Sequence, residues 1–576
     1  MATRTGTAHV VTTTRKYKDR VYRTHLLRRS YREDGKVKNE TLGNLSHLPD
    51  HVIELIRRSL QGETFVPASA FEIVRSRPHG HVQAVSLALQ RLDVASLLGA
   101  PSRQRDLVLA MIAARIVQPA TKLATTRQWH SSTLADEFGV CEATEDDLYA
   151  AMDWLVQRQG AIEKKLAARH LDEHALVLYD LSSSYLEGSC CPLAARGYSR
   201  DGKPGTLQVN YGLMTDARGC PVAISVFEGN TSDSLTFLPQ VQRVRSDFGI
   251  EQMVMVGDRG MISKKAIAEM HESDGVQWIT ALKSASIRAL VEQQHLQLGL
   301  FDQTNLVEIA SPEYPGERLI ACRNEALAKL RAHKRESLLV ATEEQLRLIE
   351  QRVQEGKLKG QDQIGLRVGK IIHRHKMAKH FVLEIEDHAF GFERNAQSIA
   401  AEAALDGLYI IRTSVSQDAM DADSCVRHYK ALSSVERAFR SIKTVDLKVR
   451  PIHHRTEPRV RAHIFLCMLA YYVQWHLEQA WRELTFADTE LELKVWRDPV
   501  APATRSKSAD LKASTKRLPD GSLAHSFASL MADLATIVRN TCRTPAAGEQ
   551  APTFELLTTP TPAQARALEM VRAIRL

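Results

Sequence analysis

The stretch Ala175-Leu176-Val177-Leu178-Tyr179-Asp180 decides the fold. Five apolar residues without polar alternation form the pattern of a strand covered on both faces, and the aspartate reads as its end. Downstream, Leu207 to Met214 and Pro221 to Phe227 alternate apolar and polar residues around the turn Asp216-Ala-Arg-Gly219, which predicts a hairpin. Ser234 to Phe248 has helical spacing. Met253-Val-Met-Val256 repeats the continuous apolar pattern and runs into Gly257-Asp258-Arg259-Gly260. Ser263 is placed to cap a helix from Lys264, and Val276 to Leu282 is a further strand. Strand, hairpin, helix, strand, helix, strand predicts an α/β fold, a mixed sheet covered by helices.

Beyond Lys283 that rhythm stops. Arg323 to Glu355 is a long charged helix or helix pair, Ile364 to Glu386 suggests strands, and Ser398 to Leu405 a short helix. Gly407-Leu-Tyr-Ile-Ile411 then resumes the apolar-strand pattern. Residues 286–401 therefore read as an α+β insertion dividing a core into 171–285 and 402–455. Upstream, residues 1–66 form a small basic unit, with Asp34-Gly35 as a hairpin turn, arginines 20, 23, 28, 29 and 32 before it, and a helix from Pro49 to Leu60. Residues 67–170 are helical over Val82 to Leu98, Arg103 to Val117 and Thr144 to Ala168. Within them, Arg105 to His130 fits a helix-turn-helix reading DNA through Thr121 to Trp129, or an ordinary packing module, which is the commoner outcome. Residues 456–576 read as helical: Val460 to Leu484 is strongly apolar, Pro499 to Ser522 a flexible linker, Ser526 to Thr541 an amphipathic helix, and Pro562 to Ile574 the last helix.

A chain of 576 residues exceeds one core, and its 44% hydrophobic content supplies ample apolar material. The net charge of +8 and pI near 9.0 favour a polyanionic partner. From Arg427 to Arg461 there are ten Lys/Arg against three Asp/Glu. The eight cysteines show no Cys-x-x-Cys pair or zinc-ligand spacing and read as reduced thiols of a cytosolic protein. No secretory signal is visible, and the longest apolar run, Ile464 to Val473, is too short to span a bilayer.

The chemistry concentrates in Tyr429-x-x-Leu432-x-x-x-Glu436-x-x-x-x-x-x-Lys443. On a helix Glu436, Arg440 and Lys443 share one face, while Leu432, Val435, Phe439 and Ile442 make an apolar face beside it. A carboxylate among cations suits a site that binds metal and handles phosphate. With Asp180 and Asp258 it forms a candidate triad. Mg²⁺ takes hard oxygen ligands, and two ions about 3.5–4 Å apart can serve an in-line phosphoryl displacement. One aspartate after one strand is usually only a turn or cap residue; the combination in this order is far more specific.

On these residues the chain resembles the DDE transposases of bacterial insertion sequences, in the subgroup with a Tyr-x-x-Arg-x-x-x-Glu-x-x-x-x-x-x-Lys signature. The resemblance extends to Tyr31 to Asn44, Gly197-Tyr-Ser-Arg-Asp-Gly202, Phe227-Glu-Gly-Asn-Thr231, Asp258-Arg-Gly-Met261 and Asp406-Gly-Leu-Tyr-Ile-Ile411. It implies a ribonuclease-H-like core with an insertion between the second and third acids, where the longer gap lies. It implies Asp180, Asp258 and Glu436 as catalytic metal ligands for two Mg²⁺ ions, with Mn²⁺ as a substitute, and Tyr429 and Lys443 as phosphate-handling neighbours. The partners implied are double-stranded DNA, both the element's inverted repeats and the target, and a second copy in a synaptic homodimer, with no membrane. The setting implied is the bacterial cytoplasm, at the nucleoid when DNA is bound. The activity implied is DNA cleavage and joining of the 3′-OH ends; the alternatives are an inactive DNA-binding descendant and a nuclease without strand transfer. Leu432 stands where the signature has arginine, and Arg440 and Arg437 are the candidate substitutes, with Arg259 a further DNA contact. Some relatives flip a base onto a tryptophan of the insertion; no Trp lies between Trp278 and Trp475, which leaves Phe381, Phe390 and Phe392 for that step.

Overall fold

A computed structural model of the chain describes residues 6–18, 20–33, 35–63, 65, 71–543 and 553–576. They form two compact units, residues 1–77 with 538–558, and residues 78–537 with 559–576.

The smaller unit holds two antiparallel sheets. In one, β1 (Thr7–Tyr17), β2 (Arg20–Glu33) and β3 (Lys36–Asn44) pair in sequence order. Glu33 opposes Lys36, so the expected hairpin exists; its Asp34 lies outside the described residues, and Gly35 takes φ +74°, which glycine adopts freely. The helix Asp50–Leu60 follows, with Ile53 buried. In the other sheet, β4 (Glu72–Pro78) joins strands from near the C-terminus.

The larger unit is built on a nine-stranded mixed sheet. Its first strands are β5 (Ala175–Tyr185), β6 (Ala195–Arg196), β7 (Leu207–Thr215), β8 (Pro221–Glu228), β9 (Met253–Gly257) and β10 (Val276–Ala281). β5 is central: it runs antiparallel to β7 and parallel to β9, and β9 is parallel to β10. A strand hydrogen-bonded on both edges and covered on both faces needs a continuous apolar run, which Ala175 to Tyr179 supplies. β11 (Leu306–Ile309) and β12 (Arg318–Arg323) follow, then the small hairpin of β13 (Phe381–Ile385) and β14 (Phe390–Arg394), and β15 (Leu408–Thr413). The full order is β11-β12-β15-β10-β9-β5-β7, with β6 and β8 both on β7. Thus part of the segment read as an insertion, β11 and β12, extends the main sheet.

Three expectations are corrected. The strand reading of Ile364 to Glu386 holds only for β13; Gln361–His375 is a helix. Gly365, Gly369 and several β-branched residues made it look extended, but Ile364 and Val368, one turn apart, are buried against the long helix Glu325–Gln354 through Leu339, Leu346 and Ile349. Pro499 to Ser522 is not a free linker. It contains the helix Lys507–Thr515, capped by Ser506, whose buried Lys512 donates to the carbonyls of Arg482 and Ala487 at 3.1 and 3.0 Å. Finally, the helix expected over Ser526 to Thr541 ends at Ala535, and the chain becomes β16 (Val538–Arg543), which pairs with β4 and with β17 (Thr553–Leu557).

The helix Glu457–Ala480 runs through the core of the larger unit, buried almost continuously from Val460 to Leu477. Among the described residues no single helix is long and apolar enough to cross a membrane. All eight cysteines are free.

Candidate active site

The register of the sheet brings the two aspartates together. β9 pairs with β5 as far as Tyr179 opposite Gly257 and then ends. Asp180 and Asp258 are the next residues on the two parallel strands. β5 itself does not stop at Asp180, as the sequence suggested; it continues along β7 to Tyr185. The opening is therefore made by the end of β9 alone, and Asp180 stands inside a strand that is firmly held. Gly212, opposite Leu181 on β7, leaves room for the buried Tyr179 ring, since a Cβ there would come within 2.0 Å of its hydroxyl.

Glu436 arrives on the helix Leu432–Arg440. Its buried side, Leu432, Val435, Ala438 and Phe439, packs on the sheet, with Phe439 edge-on to Tyr211 of β7 at 5.7 Å. The helix ends in one π turn, Ser441–Val445. Such turns interrupt helical phase and recur at functional sites. Within it Lys443 is only 7% exposed, facing the floor of the site.

Asp180, Asp258 and Glu436 line one cleft of about 790 Å³, together with Tyr429, Arg440, Lys443 and Leu432. Leu181 N donates to Asp180 Oδ1 at 2.8 Å, and the Tyr429 hydroxyl donates to Asp258 Oδ1 at 3.2 Å. Burial, reinforced by the charges of Asp258 and Glu436, pushes the Asp180 carboxyl up to about 7. That carboxyl lacks a strong cationic counterweight; the charge of Arg200 acts on it only weakly.

Lys443 is in the cleft wall but is not a free cation. Its Nζ lies 2.6 Å from Asp201 Oδ1 and donates to Ser182 Oγ at 3.1 Å. Arg450 pairs with the same Asp201 oxygen, and Tyr185 N donates to the other at 3.0 Å. Arg437, expected as a replacement for the signature arginine, faces elsewhere: its charge bears on Tyr471, Glu478 and Arg482. One residue past Glu436 on a helix is a rotation of about 100°. Arg259 is exposed and near enough to act on the Tyr429 hydroxyl, yet outside the cleft lining. Phe381 and Phe390 are buried and Phe392 packs against them, so none presents a ring to the cleft.

Sequence reasoning missed Tyr198, Arg200, Asp233, Lys430 and Arg450, all of which line the cleft, and Asp201 beneath it. Tyr198 is 81% exposed. Arg200 is ion-paired to Asp233, and its backbone N–H donates to Ser183 Oγ at 3.1 Å. The signal for Tyr198, Arg200 and Asp201 was the string Gly197 to Gly202, which reads locally as a turn, and that for Lys430 and Arg450 only the basic stretch Arg427 to Arg461 as a whole.

The raised Asp180 carboxyl has a measurable consequence in the metal-free protein. The unfolded chain ionises at the ordinary value of 3.8, the folded one near 7. Between them the unfolded state has lost a proton that the folded state keeps, so this group makes stability fall as pH rises from about 4 to 7. Asp180→Asn removes that penalty. In chelator, the variant is expected to melt above the parent at pH 8, with the difference vanishing near pH 4. A constant difference across that range would show that Asp180 ionises normally.

The family model of the transposase DDE domain matches residues 177–473, and that of the IS1634 family transposase N-terminal domain matches residues 10–67. No curated protein matches the chain. Among solved structures, it is similar to the piggyBac transposase of a cryo-EM synaptic complex with hairpin DNA, with 7% identity, a TM-score of 0.33, and coverage of 73% of this chain and 75% of that one. With the DDE domain matched over just more than half of its length, the chain belongs to the DDE transposases of bacterial insertion sequences.

Proposed function

We propose that the protein binds the terminal inverted repeats of its own element as a dimer, hydrolyses a phosphodiester at each end, and joins the freed 3′-OH to target DNA by transesterification in the bacterial cytoplasm. The observation that carries this reading is the convergence of Asp180, Asp258 and Glu436 in one cleft walled by Arg200, Lys430, Arg440 and Arg450. Two acids on neighbouring parallel strands and a third on a helix after the long intervening segment also support a ribonuclease-H-like core.

The residues fit a divalent metal. Three hard oxygen donors line one cleft, and burial, with the charges of Asp258 and Glu436 added, keeps the Asp180 proton in place to near neutrality. Asp180, Asp258 and Glu436 would hold a pair of Mg²⁺ ions, or Mn²⁺ in their place, which when bound supply Lewis-acid stabilisation to the attacking and leaving oxygens. Tyr429 fixes the orientation of the Asp258 carboxylate through its hydroxyl. The guanidinium groups of Arg200, Arg440 and Arg450 and the ammonium of Lys430 provide charge for phosphate oxygens, which takes over the part of the arginine absent at Leu432. Asp201 holds Lys443 and Arg450 to one another and so fixes the wall.

A duplex ending in the element's terminus, incubated with the protein and Mg²⁺ and then with a target plasmid, tests the proposal. Nicking to a 3′-OH followed by covalent joining is expected. Cleavage without joining would reduce the protein to a nuclease, and binding without cleavage to a DNA-binding protein.

A further inference from the structure

Behind the catalytic wall lies a second pocket of about 260 Å³ whose charge is all of one sign. Arg115, Lys122, Lys448, Arg450, His454 and His463 line it, and no aspartate or glutamate does. Arg115 and Lys122 are 6% and 4% exposed. Among the described residues the Arg115 guanidinium is satisfied only by carbonyls, Leu447 O at 3.4 Å and Ala120 O at 3.2 Å. The Lys122 ammonium has no hydrogen-bond or ion-pair partner among the described residues. His463 Nε2 donates to Val449 O at 3.0 Å, leaving Nδ1 buried without a partner.

Burying a cation without a counter-charge is costly, so buried lysines are ordinarily paired. Burial, then Arg115, push the Lys122 amine down to about 7, and only the buried Cys467 thiol acts the other way. Burial, then Lys122 and Arg115, lower His454 as well. The missing component is an anion. The space would hold several waters at ~30 Å³ each, and so a tetrahedral oxyanion. The entrance carries the exposed Lys448 and His453, the floor the buried Arg115 and Lys122. Arg450 lines both this pocket and the catalytic cleft.

We propose that this pocket is a phosphate subsite that takes a backbone phosphate of the bound DNA strand, beside the phosphate being cleaved. It rests on the DNA-cleaving reading for the identity of its ligand, and on the buried unpaired cations for its existence. A strand entering the cleft past Arg450 would lower a neighbouring phosphate between Lys448 and Lys122. The sugar-phosphate chain is thereby fixed in register without any base being read.

Full-length protein and its Lys122→Met variant, which keeps the side-chain length and removes the charge, decide the matter in two assays. In the first, thermal melting is followed with inorganic phosphate or pyrophosphate against chloride at equal ionic strength. The parent is expected to rise in melting temperature with the oxyanion and the variant not to, while without oxyanion the variant melts at or above the parent. In the second, binding to a duplex carrying the element's terminus and to an unrelated duplex is measured across salt concentrations. The variant is expected to lose roughly tenfold on both duplexes and to show a log K against log salt slope shallower by about one. Loss of the oxyanion effect with an unchanged DNA slope would overturn the DNA assignment in favour of a free phosphate compound. A variant that keeps both effects, or that melts well below the parent without oxyanion, would overturn the subsite altogether. Neither assay needs cleavage, so a failure of the catalytic reading leaves these outcomes legible.

Discussion

Asp180→Ala, Asp258→Ala and Glu436→Ala are each expected to lose cleavage of the element's end by ~10³-fold or more, while the same duplex is still bound. Metal-ion stabilisation of a phosphoryl-transfer transition state is worth several kcal/mol, and every 1.36 kcal/mol is a factor of ten. Removing one of three shared carboxylates forfeits most of that, because the two that remain cannot both anchor the same pair of ions. Binding is expected to draw on a different set, the cations of the cleft and the basic N-terminal sheet, and so to survive. Tyr429→Phe should fall between, at 10–100-fold, since it loses only the hydroxyl that orients Asp258. Gel shifts run beside a Mg²⁺ cleavage assay separate the two quantities. A Glu436→Ala protein with normal cleavage would remove the triad from the chemistry.

Much of the site was legible because its residues stand on elements with strong local patterns. The continuous runs before Asp180 and Asp258 announced buried strands of a mixed sheet, and parallel pairing in register then placed the acids side by side. The apolar stripe Leu432, Val435, Phe439 and Ile442 announced which face of the Glu436 helix would be buried, and all four are. What escaped was contributed by loops and by contacts between distant segments. Asp201 lies in a stretch whose glycines suggest a turn, and nothing in that stretch reveals that its carboxylate meets Lys443 and Arg450 more than two hundred residues later. Lys443 was read as a phosphate-handling cation on the Glu436 face, and nothing along that helix reveals that its ammonium is already engaged by Asp201 and Ser182. The pocket holding Lys122 is lined from four helices and two loops, segments that share no periodicity. In Gln361–His375 and Pro499 to Ser522, local composition pointed to extended or flexible chain, and burial against partners far away in sequence prevailed.

Asp201→Asn is expected to destabilise the larger unit by about 3–5 kcal/mol, the usual cost of removing one partner from a buried ion pair. The carboxylate is 1% exposed in its side chain and serves two cations at once, Lys443 at 2.6 Å and Arg450, with Tyr185 N on its second oxygen. An amide keeps the shape but not the charge, so the ammonium and the guanidinium would then repel each other across a poorly solvated gap. Burial already lowers the Lys443 amine, and Arg450 and Arg200 lower it further, with Asp201 alone raising it. Without Asp201, Lys443 could relieve the conflict only by losing its proton or by moving off Ser182. Either change alters the floor beside Asp180, so cleavage should fall together with the melting temperature. Lys443→Met in the Asp201→Asn background removes one of the two stranded cations and is expected to restore part of the lost stability. The cycle of the two single variants and the double gives the coupling directly. If Asp201→Asn melts within a degree of the parent, or if the double variant is less stable than Asp201→Asn alone, the pair is a surface-like contact and Lys443 is free to serve the DNA instead.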